Sequence, residues 1–421
     1  MAGHKHLKES KVPTMAINLA ILGFGVIGSG VAEVLTENKK LIESRIGKEI
    51  NIKYILDLRE FKGHPLEHLI VHDFNVILND PEVSVVAEMM GGSHPAFDFS
   101  KACIEAGKSV VTSNKEVVAR FGAELQHLAK ENGVRYLFEA SVGGGIPIIR
   151  PMMHDLQSNE IVSVSGILNG TTNYILTQMI ENGVSFENAL REAQAKGYAE
   201  KDPTADVEGL DAARKIVILA ALAFGSILRP EDIHVEGITS LTLDDVKVAE
   251  AFGASLKLIG HTEKIDGRVL CMVSPRVVPK QNPRSGVSDV FNGVLVDANM
   301  VDKVMFYGRG AGKLPTASAV VADLIDIWQT NAKDVGEVVW TPTEKDDAAS
   351  FRDYACRSIV ICSGSAESAS KLSRHFGGAE IKAFPSLGLL AVMTERMTEE
   401  KADSLTASAP LNVVKRLRVL D

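Results

Sequence analysis

The sequence predicts an α/β chain: a doubly wound parallel sheet, then a mixed α+β region, then a compact βαββαβ tail. Three observations carry this. Short apolar runs alternate with helical stretches through the N-terminal part. A glycine-rich turn joins the first such run to the first helix. The rhythm then changes twice, the second time across a polar segment.

In chain order, residues 16–22 (AINLAIL) read as a buried strand, and residues 26–35 as a helix with Gly28 and Gly30 in its first turn. That helix is expected to run on through Lys40. Residues 50–56 (INIKYIL), 83–89, 109–112 and 136–139 are further strands, and 96–106 is a helix stopped at Gly107. In the middle, residues 161–168 form a strand leading into Asn169-Gly170. Residues 171–179, 186–196 and 210–222 are helices, 268–278 a strand, and 295–306 a further strand pair. Residues 316–328 (TASAVVADLIDIW) form a strongly periodic helix. Residues 333–349, with Pro342 and the charge run Glu344-Lys345-Asp346-Asp347, read as a linker. Beyond it, strands at 358–362, 380–384, 387–394 and 413–420 alternate with helices at 366–376 and 399–407.

Composition narrows the class of function. The 421 residues are 45% apolar and 24% charged, as in a folded globular protein large enough to bury its own core. A formal net charge of -9 argues against nucleic acid as a bulk partner. Cys103, Cys271, Cys356 and Cys362 form no C-x-x-C pair and have no His cluster beside them, so neither a zinc site nor a disulfide framework is expected. A reducing, cytoplasmic setting fits this best. The longest apolar run, residues 216–228, is shorter than the roughly 20 residues that span a bilayer, so no membrane partner is expected. The first 14 residues are basic without an apolar core and read as a disordered leader.

The chemistry begins at Gly23-Phe24-Gly25-Val26-Ile27-Gly28, a G-x-G-x-x-G between strand and helix. The first glycine permits the tight turn, the second admits a pyrophosphate to the backbone, and the third lets helix and strand pack closely. Phosphates then meet the positive end of the helix. This is the fingerprint of a Rossmann dinucleotide site. Asp57, at the end of the second strand, suits the ribose hydroxyls of NAD, whereas Arg59 suits the 2′-phosphate of NADP; the choice stays open. Gly91, Asn114, Lys115 and Gly312 are further candidates for the dinucleotide.

Hydride transfer to an aldehyde needs a proton for the developing alkoxide, and a positioned ammonium supplies both charge and proton. Lys115 lies just past a strand, where ligands bind in doubly wound sheets. Asp211 and Lys215 stand at i, i+4 on one helix face that continues into the apolar run 216–222. Glu200 and Asp206 lie on the loop before it, between Pro203 and Gly209. Carboxylates beside lysines suit a zwitterionic amino-acid substrate.

The stretch 193–215 resembles the signature of the homoserine dehydrogenase family at every fixed position: Ala193, Gly197, Asp202, Pro203, Asp206, Gly209, Asp211 and Lys215. EASVGGGIP at 139–147, GILNGTTNY at 166–174, and FYGRGAG at 306–312 followed by PTASA at 315–319 are similar to further motifs of that family, in the same order. The resemblance covers residues 16–330. It implies NAD(P)-dependent interconversion of L-aspartate 4-semialdehyde and L-homoserine, on the route to threonine and methionine, in the form without a preceding aspartate-kinase domain. It implies Lys215 as proton donor, Lys115 at the junction of nicotinamide and substrate, and Glu200, Asp206 and Asp211 holding the substrate and its amino end. It also implies a loop at Glu139, Val142, Gly144 and Ile146 where some members hold a monovalent cation, Na+, through backbone carbonyls.

The tail resembles the ferredoxin-like ACT fold that many members carry. The usual acidic residue and Pro-Gly pair after the first strand are missing from residues 361–366 (ICSGSA). Two readings stand: a threonine site, or a dimer-forming tail without a ligand. The expected organisation is a leader at 1–14, a dinucleotide domain at 15–150 completed by about 308–332, a substrate and dimerisation domain at 151–307, a linker at 333–350 and an ACT-like domain at 351–421, in a homodimer or homotetramer. Two rival functions are weighed. A thioester-forming semialdehyde dehydrogenase needs a cysteine nucleophile, for which Cys103 is the candidate. A nucleotide sensor without catalysis is opposed by intact Lys115, Asp211 and Lys215.

Overall fold

The computed structural model describes residues 16–330 and 340–420. The expected leader at 1–14 and the first part of the expected linker lie outside them. The described residues divide into two compact units, one drawn from residues 16–114, 124–138 and 317–330, the other from 115–123, 139–316 and 340–420.

The first unit is built on a six-stranded parallel sheet of β1 (Ile17–Leu22), β2 (Ile50–Leu56), β3 (Ile70–Val71), β4 (Val83–Glu88), β5 (Ser109–Thr112) and β6 (Tyr136–Leu137). Its order is β3-β2-β1-β4-β5-β6. The central strands are apolar on both faces because helices cover both sides of such a sheet. Leu19 to Leu22 and Val85 to Ala87 are accordingly almost fully buried. The order reverses between β1 and β4, and ligands of doubly wound sheets bind at the strand ends beside such a switch point.

The first helix, Val26–Glu37, does not run through Lys40. It stops at Asn38, and a second helix, Lys39–Ile46, ends on Gly47 at φ 70°. The strand expected at 136–139 is shorter than expected. Glu139 turns away into a 3₁₀ segment, Glu139–Ser141, because its carboxylate accepts the backbone N–H groups of Ile148, Ile149 and Arg150.

The second unit holds a ten-stranded mixed sheet. Its first part runs Asp302–Arg309, Phe291–Ala298, Ile161–Ile167, Ala254–Ile265 and Arg268–Pro279. The strand Ala254–Ile265 is absent from the sequence expectation. It forms one long hairpin with Arg268–Pro279 across Asp266-Gly267, both at positive φ, the signature of a tight hairpin turn. The helix Leu210–Phe224 lies on this sheet so closely that a Cβ on Gly260 would sit 2.7 Å from Leu168 and 3.3 Å from Ile216.

The tail continues the same sheet. Its strands lie in the order Val413–Val419, Ser358–Ser363, Leu389–Met393, Ile381–Phe384, the fourth-first-third-second arrangement of a βαββαβ unit. The last strand pairs in parallel with Arg268–Pro279, Arg276 opposite Arg418 and Val277 opposite Val419. Arg418 pairs across this seam with the partly exposed Glu236, and within the tail with the buried Glu399. The described end of the expected linker is docked. Trp340 is buried against Gly122, and Thr341–Pro342 pairs with Ser226–Ile227. No helix among the described residues is long and apolar enough to cross a membrane.

Candidate active site

The glycine turn follows β1. Gly23 sits at φ 88°, and its N–H donates to the Leu56 carbonyl at 2.8 Å. A Cβ on Gly28 would fall 1.9 Å from the Gly23 oxygen, so only glycine closes this turn. A Cβ on Gly25 would meet nothing within 4 Å. Gly25 is the N-cap of the helix that carries Val26 and Ile27 in its first turn, and no side chain caps that end. The free N–H groups of the first turn therefore suit an anionic group. A cavity of about 500 Å³ lies beside it, lined by Gly23, Gly25, Asp57, Arg59, Met90 and Gly91. Open space at Gly25, an uncapped helix end and a cavity of this size fit a dinucleotide.

Asp57 and Arg59 prove to be one unit. Arg59 Nε and Nη2 donate to the two Asp57 oxygens at 2.9 and 2.8 Å, while Phe24 N–H donates to the same carboxylate at 2.8 Å. The Arg59 guanidinium, aided by these backbone bonds, holds the Asp57 carboxyl far below the usual carboxylate range. Asp57 is 9% exposed and its acceptors are engaged, whereas Arg59 is 62% exposed, with its guanidinium over the Phe61 ring. Asn114 stands at the end of β5, and its amide donates to the carbonyls of Met90 and Gly92.

The second unit gathers the lysines and acids. Gly209 at φ 80° turns the chain into the helix Leu210–Phe224, which places Asp211 in the first turn and Lys215 one turn on. Asp211 Oδ2 accepts from Lys215 Nζ at 2.7 Å, and Asp211 Oδ1 lies 2.8 Å from Lys115 Nζ. Lys215 also donates to the Leu168 carbonyl at 2.6 Å. Burial alone would raise the Asp211 carboxyl, but the two ammonium groups outweigh it and keep it ionised. Burial pushes Lys215 down, against the pull of Asp211, while Asp211 pushes Lys115 up. One buried carboxylate thus serves two lysines with unequal grips on their protons.

Sequence reasoning missed Asn169 as a member of the site. Its Nδ2 donates to Asp206 Oδ1 at 2.7 Å and Asp211 Oδ2 at 2.9 Å, while its Oδ1 caps the next helix at Thr172 N–H. Asn169 before a helix reads as an N-cap; nothing local reveals the two acids. Burial raises the Asp206 carboxyl, opposed by Asn169. Glu200 is not drawn into this cluster: it is exposed, and its side chain makes no hydrogen bond or ion pair with the described residues.

In the 139–147 loop, Gly143 and Gly144 have φ of 77° and 54°, and Ile146 N–H donates to the Gly143 carbonyl. A Cβ on Gly144 would fall 2.5 Å from the Gly310 oxygen, so this loop packs on the 309–312 turn, where Gly312 has φ 127°. Three backbone donors engage the Glu139 carboxylate, which leaves main-chain carbonyls as the oxygens that Glu139, Val142, Gly144 and Ile146 could offer a cation. Among the described residues, no group of three or more His, Cys, Asp or Glu side chains is placed to hold a metal ion. Cys103 is fully buried, and burial pushes its thiol up to about 12, which removes the nucleophile a thioester mechanism needs.

Comparison with known proteins agrees across the chain. Residues 23–139 match the family model described as "Homoserine dehydrogenase, NAD binding domain", and residues 147–325 match "Homoserine dehydrogenase". A homoserine dehydrogenase of Neisseria gonorrhoeae is 44% identical over 314 residues, 74% of this chain and 72% of that protein. A crystal structure of a homoserine dehydrogenase from Thiobacillus denitrificans superposes with a TM-score of 0.86 at 33% identity, over 97% of this chain and 99% of that one. A hyperthermophilic archaeal homoserine dehydrogenase mutant, in complex with NADPH, superposes with a TM-score of 0.64 at 28% identity, over 74% of this chain and 98% of that one.

Proposed function

This chain belongs to the homoserine dehydrogenase family, and we propose that it interconverts L-aspartate 4-semialdehyde and L-homoserine with Lys215 as the proton donor. The observation that carries the assignment of roles is the Lys115–Asp211–Lys215 triad, in which Asp211 and Lys215 are buried and Lys115 is partly exposed. Bound NAD(P)H supplies the hydride, and this chain's residues manage the charge that hydride transfer creates. Lys215, whose proton burial loosens, donates to the developing alkoxide oxygen. Asp211 keeps both ammonium groups oriented, and the more firmly protonated Lys115 stabilises negative charge without giving up its proton. Asp206 and the exposed Glu200 hold the substrate amine.

Arg59 favours NADP. Its bonds to Asp57 occupy the carboxylate that would otherwise accept ribose hydroxyls, and its exposed guanidinium is available to a 2′-phosphate. Main-chain carbonyls of Glu139, Val142, Gly144 and Ile146 are the proposed seat of a monovalent cation. The working form is a homodimer or homotetramer, and the tail at 351–421 is proposed as an ACT-like element that takes threonine. Deleting the tail is a poor test, because its last strand pairs with Arg268–Pro279 and removal would expose a sheet edge. Threonine is instead titrated against the full chain. The reaction itself is tested by following reduced nicotinamide with homoserine and each oxidised cofactor. Turnover favouring NADP supports the assignment, and no turnover with either overturns it.

A further inference from the structure

Glu88, the last residue of β4, is completely buried, and its charge faces no lysine or arginine among the described residues. Its carboxylate is nonetheless fully used. Oε1 accepts the Met90 N–H at 2.6 Å, and Oε2 accepts the Thr112 hydroxyl at 2.6 Å. Thr112 Oγ1 in turn accepts the Asn114 N–H at 2.9 Å, and the Asn114 amide donates to the Met90 carbonyl at 3.2 Å and the Gly92 carbonyl at 2.7 Å. The chain of bonds closes on itself. It ties the end of β4 to the end of β5 and fixes residues 90–92 from both sides. Met90 and Gly91 line the cavity at the glycine turn, and a Cβ on Gly23 would lie 3.1 Å from the Met89 oxygen and from Met90 Cγ. The loop is therefore a wall of that cavity, and Glu88 lies behind the wall.

We propose that Glu88 is a positioning residue for the dinucleotide, holding the loop at residues 90–92 in the conformation that lines the cavity. The proposal rests on reading that cavity as the dinucleotide site. Both of its bonds are short, as expected for donors meeting a carboxylate. Burial raises the Glu88 carboxyl to about 7, with Thr112, Met90 and Asn114 opposing; Tyr136 on β6 is the titratable group that faces it. Both protonation states keep the loop bond. The Met90 N–H can only donate, so a proton must sit on Oε2 and point at Thr112 Oγ1, reversing that bond. Glutamine, with an amide N–H in the same place, reproduces the protonated form. An anionic ligand in the cavity disfavours the ionised form, so the affinity of the wild-type chain falls as pH rises through about 7.

The test is titration of the full-length protein with NADP+ and NAD+, read by binding rather than turnover. Glu88→Ala is expected to weaken dinucleotide binding about tenfold or more, the loss expected when buried hydrogen-bond partners are left unsatisfied. Glu88→Gln is expected to stay within about threefold of wild type, and its affinity should be flat between about pH 6 and 8, where that of the wild type declines. If Glu88→Ala does not fold, Thr112→Val cuts the second arm alone and is expected to weaken binding several-fold. Failure of the wild type to bind would overturn the reading of the cavity. Unchanged affinity in Glu88→Ala or Thr112→Val, with a wild type that binds, would overturn the role of Glu88. So would a Glu88→Gln variant as weak as Glu88→Ala.

Discussion

Lys215 Nζ lies 2.7 Å from Asp211 Oδ2, one helical turn away, with the two side chains 9% and 7% exposed. The same carboxylate takes Lys115 on its other oxygen. Asp211 raises the proton affinity of both lysines, against the burial that lowers Lys215. Replacing it with asparagine leaves two ammonium groups without their counter-charge. Reduction of the semialdehyde needs Lys215 protonated, so its rate falls as pH rises through the Lys215 pKa. In Asp211→Asn that alkaline limb is expected to move to lower pH by about one unit or more. A pH–rate profile of the variant checks this; an unmoved limb would mean that Asp211 does not set the proton affinity of Lys215.

Asn169 joins Asp206 and Asp211 and caps the helix Gly170–Asn182. Asn169→Ala removes a cap worth about 0.5–2 kcal/mol and frees two acids to repel each other. The expected outcome is a lower melting temperature together with a kcat loss of roughly tenfold or more. Asn169→Ser keeps a capping oxygen but loses the amide that joins the two acids, so it should recover most of the cap's stability and little of the rate. Recovery of both would reduce Asn169 to a cap alone.

Arg59→Ala is expected to raise KM for NADPH by about tenfold or more, in line with losing a charge-assisted contact, and KM for NADH by much less. The same change frees Asp57 for ribose hydroxyls. Side-by-side kcat/KM values decide it. Equal losses with both cofactors would show that Arg59 does not read the 2′ position.

Gly25 and Gly28 should separate binding from folding. Gly28→Ala drives a Cβ to 1.9 Å from the Gly23 oxygen and is expected to destabilise the unliganded protein by several kcal/mol, or abolish its folding. Gly25→Ala places a Cβ in open space, so the unliganded melting temperature should barely move while dinucleotide binding is lost. Thermal melts with and without NADP+ read both effects. Equal unliganded destabilisation in the two variants would contradict the assignment of the space at Gly25 to the ligand.

Much of this was legible in the sequence because the responsible physics is local. Positive φ and missing Cβ atoms mark Gly23 and Gly28, and i, i+4 spacing marks Asp211 with Lys215. Lys115 joins Asp211 from a distant part of the chain, and only a family resemblance put them together beforehand. The strand Ala254–Ile265 escaped because Lys257, His261 and Glu263 interrupt its apolar pattern, although the first two are buried. Its readable signal was Asp266-Gly267. The strand pairing that joins the tail to the central sheet comprises two residue pairs between Arg268–Pro279 and Val413–Val419, and no local pattern encodes a pairing so far apart. Nor did residues 340–349 look docked, since their polar composition hides the buried Trp340 and Ala349.

The role of Lys215 as proton donor is tested most directly by NADPH binding and single-turnover reduction of L-aspartate 4-semialdehyde, measured on the same preparation of Lys215→Ala. NADPH affinity is expected to stay close to wild type, with a hydride-transfer rate reduced by on the order of 10²–10⁴. A rate within a few-fold of wild type would contradict it.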